Sequence, residues 1–324
     1  MAKAIRFDEA GGPEVMQYVD VDVPSPSAGQ VQVRHTAVGL NYIDTYHRTG
    51  LYPLPLPSGI GLEAAGVVEE IGEGVENLQV GDRIAYGAGP LGAYSERNNV
   101  PANRVGKLPD NVSDEVAAAI MLKGMTARYL LRATYEVKPG DTILFHAAAG
   151  GVGLIACQWA SALGATVIGT VGSAQKGELA KANGCDHIIN YSEENVAERV
   201  REITDGKGVP VVYDGVGQST VMSSLDSLSP RGLLVSFGNA SGPVKDFDLG
   251  LLSAKGSLYI TRPTLMTYVA SDQDLADTMA DLFEMVGSGK IDITINQRYP
   301  LSEAVQAHRD LEGRKTTGST ILLP

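Results

Sequence analysis

The chain has 324 residues, 44% hydrophobic and 20% charged, with a formal net charge of −12. That length favours two domains over one core, and the acidic balance opposes general nucleic-acid binding, which needs a basic surface to release counterions. No apolar run reaches membrane-span length and the start, Met1 to Arg6, lacks a signal-peptide core; only two cysteines occur, too few for a disulfide framework or a four-cysteine zinc lobe, so a reducing cytoplasmic setting is expected.

Up to about Ser113 the pattern is β-rich with proline and glycine punctuation. Val31 to Ala37, Ala64 to Gly72 and Leu78 to Ala85 read as turn-bounded strands of a strongly bent β barrel. From Ser113 the pattern changes. Helical spacing over Asp114 to Ile120 and Thr126 to Thr134 gives way to six short strands with helices between them. They start at Thr142, Thr166, His187, Val209, Leu233 and Ser257. Such alternation predicts an α/β Rossmann unit with a doubly wound parallel sheet. The tail carries helices near Leu275 to Val286 and Leu301 to Leu311, the apolar Ile291-Asp292-Ile293 and a strand from Ser319 to Leu323, but no glycine fingerprint. It is expected to return to the first domain. The expected division is 1–123 with 263–324, and 124–262.

The densest signal follows the strand starting at Thr142. Ala147-Ala148-Ala149-Gly150-Gly151-Val152-Gly153 leads into an apolar helical pattern through Leu163. Strand, glycine turn and helix form the phosphate-binding start of a dinucleotide unit. Gly151 and Gly153 carry no Cβ to keep a pyrophosphate away, and the helix N–H groups face the anion. A glycine-rich turn of some other α/β protein is the competing reading. Cys157 falls inside this helix as a small core residue, whereas Cys185, in Gly184-Cys185-Asp186, is expected to be partly exposed.

NAD readers place an acid at the end of the second strand for the ribose hydroxyls. Here Gly172-Ser173-Ala174-Gln175-Lys176 follows that strand, with no acid before Glu178. Ser173 and Lys176 suit a 2′-phosphate, which a carboxylate would repel, and Tyr191 after the third strand can cover it. The sequence therefore points to NADPH. The alternative makes Lys176 a solvated helix-start lysine and Tyr191 a rim aromatic.

These residues resemble the medium-chain dehydrogenase/reductases, within them the quinone oxidoreductase (zeta-crystallin-like) group. Gly140-Asp141, Leu144, Ala148 to Gly153, Gln158 and Ser161 match its signature; Tyr52-Pro53, Gly61-Leu62-Glu63-Ala64-Ala65-Gly66 and Gly124-Met125-Thr126-Ala127 are also similar. The resemblance covers essentially the whole chain. It implies a GroES-like β domain plus a Rossmann domain, a cofactor bound in the cleft between them, and a homodimer. Zinc-dependent members hold their metal where this chain carries Asn41, Leu62 and Lys123. Leucine is no ligand and a protonated lysine a poor one, so no metal is expected. The five histidines, His35, His47, His146, His187 and His308, show no ligand pairing.

A quinone is electrophilic enough to take hydride once the nicotinamide is held against it in a dry slot. Asn41, Tyr42, Asp44, Tyr46 and Tyr52 are the expected lining, and the resemblance places Asn41 and Tyr46 near the nicotinamide. Asn41, Tyr46 and Tyr52 are the candidate catalytic residues, with Asp44 an orienting acid; tyrosines are also ordinary half-buried packing residues. Further cofactor contacts are expected from Thr126, opening the helix that enters the Rossmann domain, Val216 after the fourth strand, Phe237-Gly238-Asn239 after the fifth, Arg262 and Arg314. Asp214 reads as structural. The expected reaction is NADPH-dependent reduction of a quinone or similar small electrophile. Reduction of an activated C=C bond in an enal or enone needs nearly the same site, and a structural or RNA-binding role is the reading from another class.

Overall fold

A computed structural model describes residues 1–324, which divide into two compact units, Met1–Met125 with Tyr268–Pro324, and Thr126–Thr267. The first unit opens with β1 (Ala2–Phe7), β2 (Gln17–Val21) and β3 (Gln30–Gly39), then a short helix α1 (Tyr42–Arg48). After β4 (Ser58–Gly59) come β5 (Ala64–Ile71), β6 (Arg83–Tyr86), β7 (Arg97–Pro101), β8 (Gly106–Lys107) and the helix α2 (Asp114–Tyr129). The strand expected from Leu78 begins only at Arg83. Residues before it form a turn, with Asp82 accepting from the Gln79 N–H. The two helices expected between Asp114 and Thr134 are one, and it ends in a π-helical turn at Leu130–Thr134.

The second unit alternates strand and helix throughout. Its elements are β9 (Thr142–Phe145), α3 (Gly151–Ala162), β10 (Thr166–Val171), α4 (Ala174–Ala182), β11 (His187–Asn190), α5 (Val196–Ile203), β12 (Val209–Asp214), α6 (Val221–Ser227), β13 (Leu228–Ser236), α7 (Gly250–Ala254), β14 (Tyr259–Thr261) and α8 (Leu265–Tyr268). The six strands are all parallel, in the order β11-β10-β9-β12-β13-β14. That is the doubly wound order, reversing direction between β9 and β12. Its strands run as continuous Val, Ile and Leu because helices cover both faces; Leu144, Ile168, Val212 and Leu234 are all buried in one core.

Back in the first unit, the chain forms α9 (Asp272–Gly287), β15 (Ile295–Pro300), α10 (Ala304–Glu312) and β16 (Ser319–Leu323). β16 joins β3 antiparallel, and β3 also pairs with β5 and β7, so the tail completes a seven-stranded sheet. Ile291 to Ile293 is no strand; β15 starts at Ile295. A core of Ile5, Val33, Leu40, Ile84, Tyr94 and Leu322 lies within this unit. Cys185 corrects an expectation: it is 3% exposed. Its Sγ fills the space above Gly169 of β10, where an added Cβ would come within 2.6 Å of it.

Candidate active site

In the parallel-sheet unit, every cofactor candidate but Thr126 follows the carboxyl end of a strand. The turn after β9 reaches α3 through Ala147, which has a positive φ of 54°. Gly150 caps α3 in an extended conformation with no side-chain hydrogen bond, so no capping side chain competes with an anion for the first N–H groups of α3, at Gly151, Val152 and Gly153. By contrast Ser173, Asn195 and Ser271 cap α4, α5 and α9 with their own oxygens. Gly153 is required for a packing reason: a Cβ there would lie 2.4 Å from the Ala147 carbonyl and 2.6 Å from that of Ala148.

After β10, Gly172 lies against Tyr191, and Ser173 and Lys176 open α4. A Cβ on Gly172 would meet the Tyr191 hydroxyl at 2.4 Å, so that hydroxyl lies directly over the glycine. Ser173 Oγ accepts from the Lys176 N–H at 3.4 Å, which places Lys176 in the first turn of α4. A hydroxyl, a phenol and a lysine near one helix N-terminus make a candidate cradle, with donor types that match a phosphate monoester. Replacing Lys176 with alanine should therefore weaken NADPH binding by roughly 1–3 kcal/mol and leave NADH nearly unchanged, as paired titrations with the two cofactors will read. Equal losses would remove the 2′-phosphate from this cradle.

The loops after β12 and β13 are stitched together. Ser241 N–H donates to the Val216 carbonyl at 2.8 Å, and Gly238 packs so tightly on Gly215 that a Cβ would sit 2.2 Å from its carbonyl. Phe237 lies tilted against Phe145, their centroids 5.9 Å apart, the Asn239 carbonyl accepts from the Gly242 N–H at 2.9 Å, and Arg262 Nη1 donates to the Ser236 carbonyl at 2.8 Å. Val216, Phe237, Gly238, Asn239 and Arg262 are thus gathered at one end of the sheet. Thr126 is buried in the last turn of α2, not at a helix start, because the helix begins twelve residues earlier at Asp114.

In the barrel unit, Asn41 caps α1 directly after β3. Its backbone N–H donates to Asp44 Oδ2 at 2.9 Å, and its Nδ2 donates to Glu63 Oε2 at 2.7 Å. Glu63 is fully buried and also accepts from Leu122 N–H at 2.7 Å and from Lys123 Nζ at 3.2 Å. The positions Asn41, Leu62 and Lys123 therefore hold an ammonium–carboxylate–amide cluster. Leu62 is a buried hydrocarbon and the Lys123 nitrogen is spent on the carboxylate. No group of three His, Cys, Asp or Glu side chains converges anywhere in the chain. This donor set does not fit a zinc ion. Tyr46 and Tyr52 are brought edge to face at 5.3 Å, with Tyr42 5.8 Å from Tyr46. Arg314 follows α10 with a positive φ of 58°.

Asp44 heads a second buried group that sequence reading did not foresee. Tyr94 donates to Asp44 Oδ2 at 2.9 Å; His308 Nε2 lies 3.2 Å from the same phenol and its Nδ1 2.9 Å from Arg48. Arg48, 1% exposed, is gripped by both oxygens of Glu312 at 3.0 and 2.7 Å. Burial drives His308 down to about 3, with Arg48 adding to the effect, so the ring is neutral and accepts from the guanidinium. Burial likewise pushes Asp44 up to about 7, against the hydrogen bonds from Asn41 and Tyr94. A carboxyl raised on folding stabilises the fold below its unfolded value near 4, and that contribution is lost as pH rises through 7. Against wild type, Asp44→Asn should therefore gain on the order of 2 kcal/mol in relative stability between pH 5 and pH 8. Urea unfolding at the two pH values measures it; a difference that does not move with pH would mean Asp44 titrates normally.

The model of the alcohol dehydrogenase GroES-like domain matches residues 27–110, and that of the zinc-binding dehydrogenases matches residues 151–293. A curated quinone oxidoreductase of Pseudomonas aeruginosa is 57% identical over 325 residues, covering all of both chains. The chain belongs to the quinone oxidoreductase group of the medium-chain dehydrogenase/reductases. A solved member of the group, the Escherichia coli quinone oxidoreductase complexed with NADPH, superposes with a TM-score of 0.98 at 52% identity over the full length of both. A 2-haloacrylate reductase of a Burkholderia species is 48% identical over all of this chain and 99% of its own. The enzyme's fold is that of the group, a GroES-like unit and a Rossmann unit. No helix in it is long and apolar enough to cross a membrane.

Proposed function

We propose that this enzyme transfers hydride from NADPH to a quinone without a metal ion. The observation that carries the reading is the phosphate cradle of Gly172, Ser173, Lys176 and Tyr191 in a chain of end-to-end likeness to quinone oxidoreductases. Residues 124–262 take the cofactor: Gly150, Gly151, Val152, Gly153 and Thr126 at the pyrophosphate, the cradle at the 2′-phosphate, and Val216, Phe237, Gly238, Asn239 and Arg262 toward the nicotinamide. Residues 1–123 and 263–324 supply Asn41, Tyr46 and Tyr52 for the acceptor and Arg314 for the cofactor. Bound NADPH supplies the hydride. Asn41, anchored through Glu63, offers a preset amide to a carbonyl or emerging oxyanion, and the edge-to-face tyrosine rings give apolar surface that helps to exclude water. Lys123, at a position where the resemblance puts a zinc ligand in the zinc-dependent members, is instead paired with Glu63.

Tyr46→Phe keeps the ring and removes the hydroxyl. Since a hydroquinone anion is delocalised and solvent can protonate it, kcat/KM should fall about tenfold or less, and more for Tyr46→Ala. A loss of about a thousandfold in the Phe variant, at normal NADPH affinity, would make Tyr46 the catalytic acid.

The deciding experiment is NADPH oxidation across benzoquinones, naphthoquinones and α,β-unsaturated carbonyls, each with and without a chelator. Rapid quinone turnover insensitive to chelation is expected. Inhibition reversed by zinc would overturn the metal-free mechanism, and turnover of enones alone would favour the second reading, reduction of an activated C=C bond. The likeness to a 2-haloacrylate reductase supports that alternative. The acidic charge and the nucleotide turn weigh against an RNA-binding role. A cytoplasmic homodimer belongs to the same reading, on the group's general pattern and the lack of a membrane-spanning helix.

A further inference from the structure

Beneath the turn after β9 runs a buried hydrogen-bonded chain that hydride transfer does not itself need. His146, 2% exposed, sits between β9 and Ala147. Its Nδ1 lies 3.0 Å from Thr170 Oγ1 at the end of β10, and its Nε2 lies 3.0 Å from Ser224 Oγ on α6. Ser224 donates to Asp214 Oδ2 at 2.7 Å. A hydroxyl has one proton, so Ser224, having given its own to the carboxylate, accepts from Nε2–H. The neutral ring then accepts at Nδ1 from the Thr170 hydroxyl, and Thr170 Oγ1 in turn receives the Ala147 N–H at 3.4 Å. At the far end, Asp214 Oδ1 accepts from Val216 N–H at 2.8 Å and Gly217 N–H at 3.0 Å, with Thr220 Oγ1 beside both carboxylate oxygens. Every proton between Ala147 and Asp214 points the same way, toward the carboxylate, so each bond polarises the next. Burial lowers the basicity of His146, with Asp214 opposing, which suits a neutral relay.

The two ends of this chain are the two stretches of backbone that flank the sheet's switch point. β9 and β12 are adjacent strands, and dinucleotides bind outside the carboxyl ends of strands where the order reverses. Ala147 holds a positive φ without being glycine, a conformation that needs support from its surroundings. We propose that His146 is a positioning residue for the dinucleotide, locking the turn after β9 and the loop after β12 into one geometry through Thr170, Ser224 and Asp214. This rests on NADPH being the cofactor.

Thr170→Val and Ser224→Ala each delete one hydroxyl with little change in volume. Each should bind NADPH about tenfold more weakly, with KM for NADPH raised in step and kcat at saturating NADPH and KM for quinone little changed. Because both sit in one chain, the double variant should be scarcely worse than either single. Wild-type NADPH affinity in both folded singles, even with a lowered Tm, would overturn the proposal, and so would fully additive losses of about a hundredfold. Should a hydroxyl variant fail to fold, His146→Gln, which keeps a donor for Ser224 and loses the acceptor for Thr170, must show the same tenfold loss. Wild-type protein that binds no NADPH would overturn the cofactor reading itself, a result distinct from variants that bind as well as a binding wild type.

Discussion

Gly151→Val is expected to fold normally and to lose NADPH affinity by at least about a hundredfold, the loss of two or more charge-assisted hydrogen bonds. Gly151 opens α3, and the extended Gly150 before it brings no capping side chain. The N–H groups of the first turn are thereby left for an anion, assisted by the helix dipole. Valine at this position puts two methyl groups into the space through which a pyrophosphate must approach, while its helix propensity is no poorer than that of the glycine it replaces. Gly153→Ala makes the contrasting case. Its Cβ would press within 2.4 Å of a backbone carbonyl, so the turn itself must shift and the melting temperature should drop. Thermal unfolding and NADPH titration of the two variants separate ligand space from packing. A folded Gly151→Val protein with wild-type affinity would place the pyrophosphate elsewhere.

Lys123→Met is expected to destabilise the fold by about 3–5 kcal/mol, the usual result of stripping one partner from a buried ion pair. Lys123 is 5% exposed and Glu63 fully buried, so no solvent can take over the neutralisation. The Asn41 and Leu122 N–H groups satisfy the carboxylate's lone pairs but not its charge. Adding Glu63→Gln to Lys123→Met should recover most of the loss, since a neutral amide can keep the Leu122 hydrogen bond. Gly39 leaves little freedom for any alternative arrangement, because a Cβ there would lie 1.9 Å from Glu63 Oε2. Denaturant unfolding of wild type, single and double variants gives the test. A single variant as stable as wild type would mean the ammonium does not neutralise Glu63.

What the sequence alone determined is what lies within about twenty residues. The β9 turn could be read because strand, small residues and helical period follow one another, and the NADPH preference because Ser173, Lys176 and the missing acid share one short stretch. The parallel sheet could be read because buried strands are continuous apolar runs. Short elements were harder: α1 has seven residues, too few for a helical period, although Asn41 and Asp44 at its start carry the capping pattern. Glu63, an acid inside the small apolar run Gly61 to Gly66, was a signal of burial that composition could have raised. The tertiary structure alone decided the partners of the buried polar groups. Glu63 meets Lys123 across 60 residues, Tyr94 meets Asp44 across 50, and Arg48 meets Glu312 across 264. His146 and His308 look alike in sequence to any solvated histidine, and only folding buries them and supplies Thr170, Ser224, Tyr94 and Arg48. A hydrogen bond leaves no periodic trace along the chain, because its two ends are selected by the packing of the strands and helices that carry them and not by neighbouring residues.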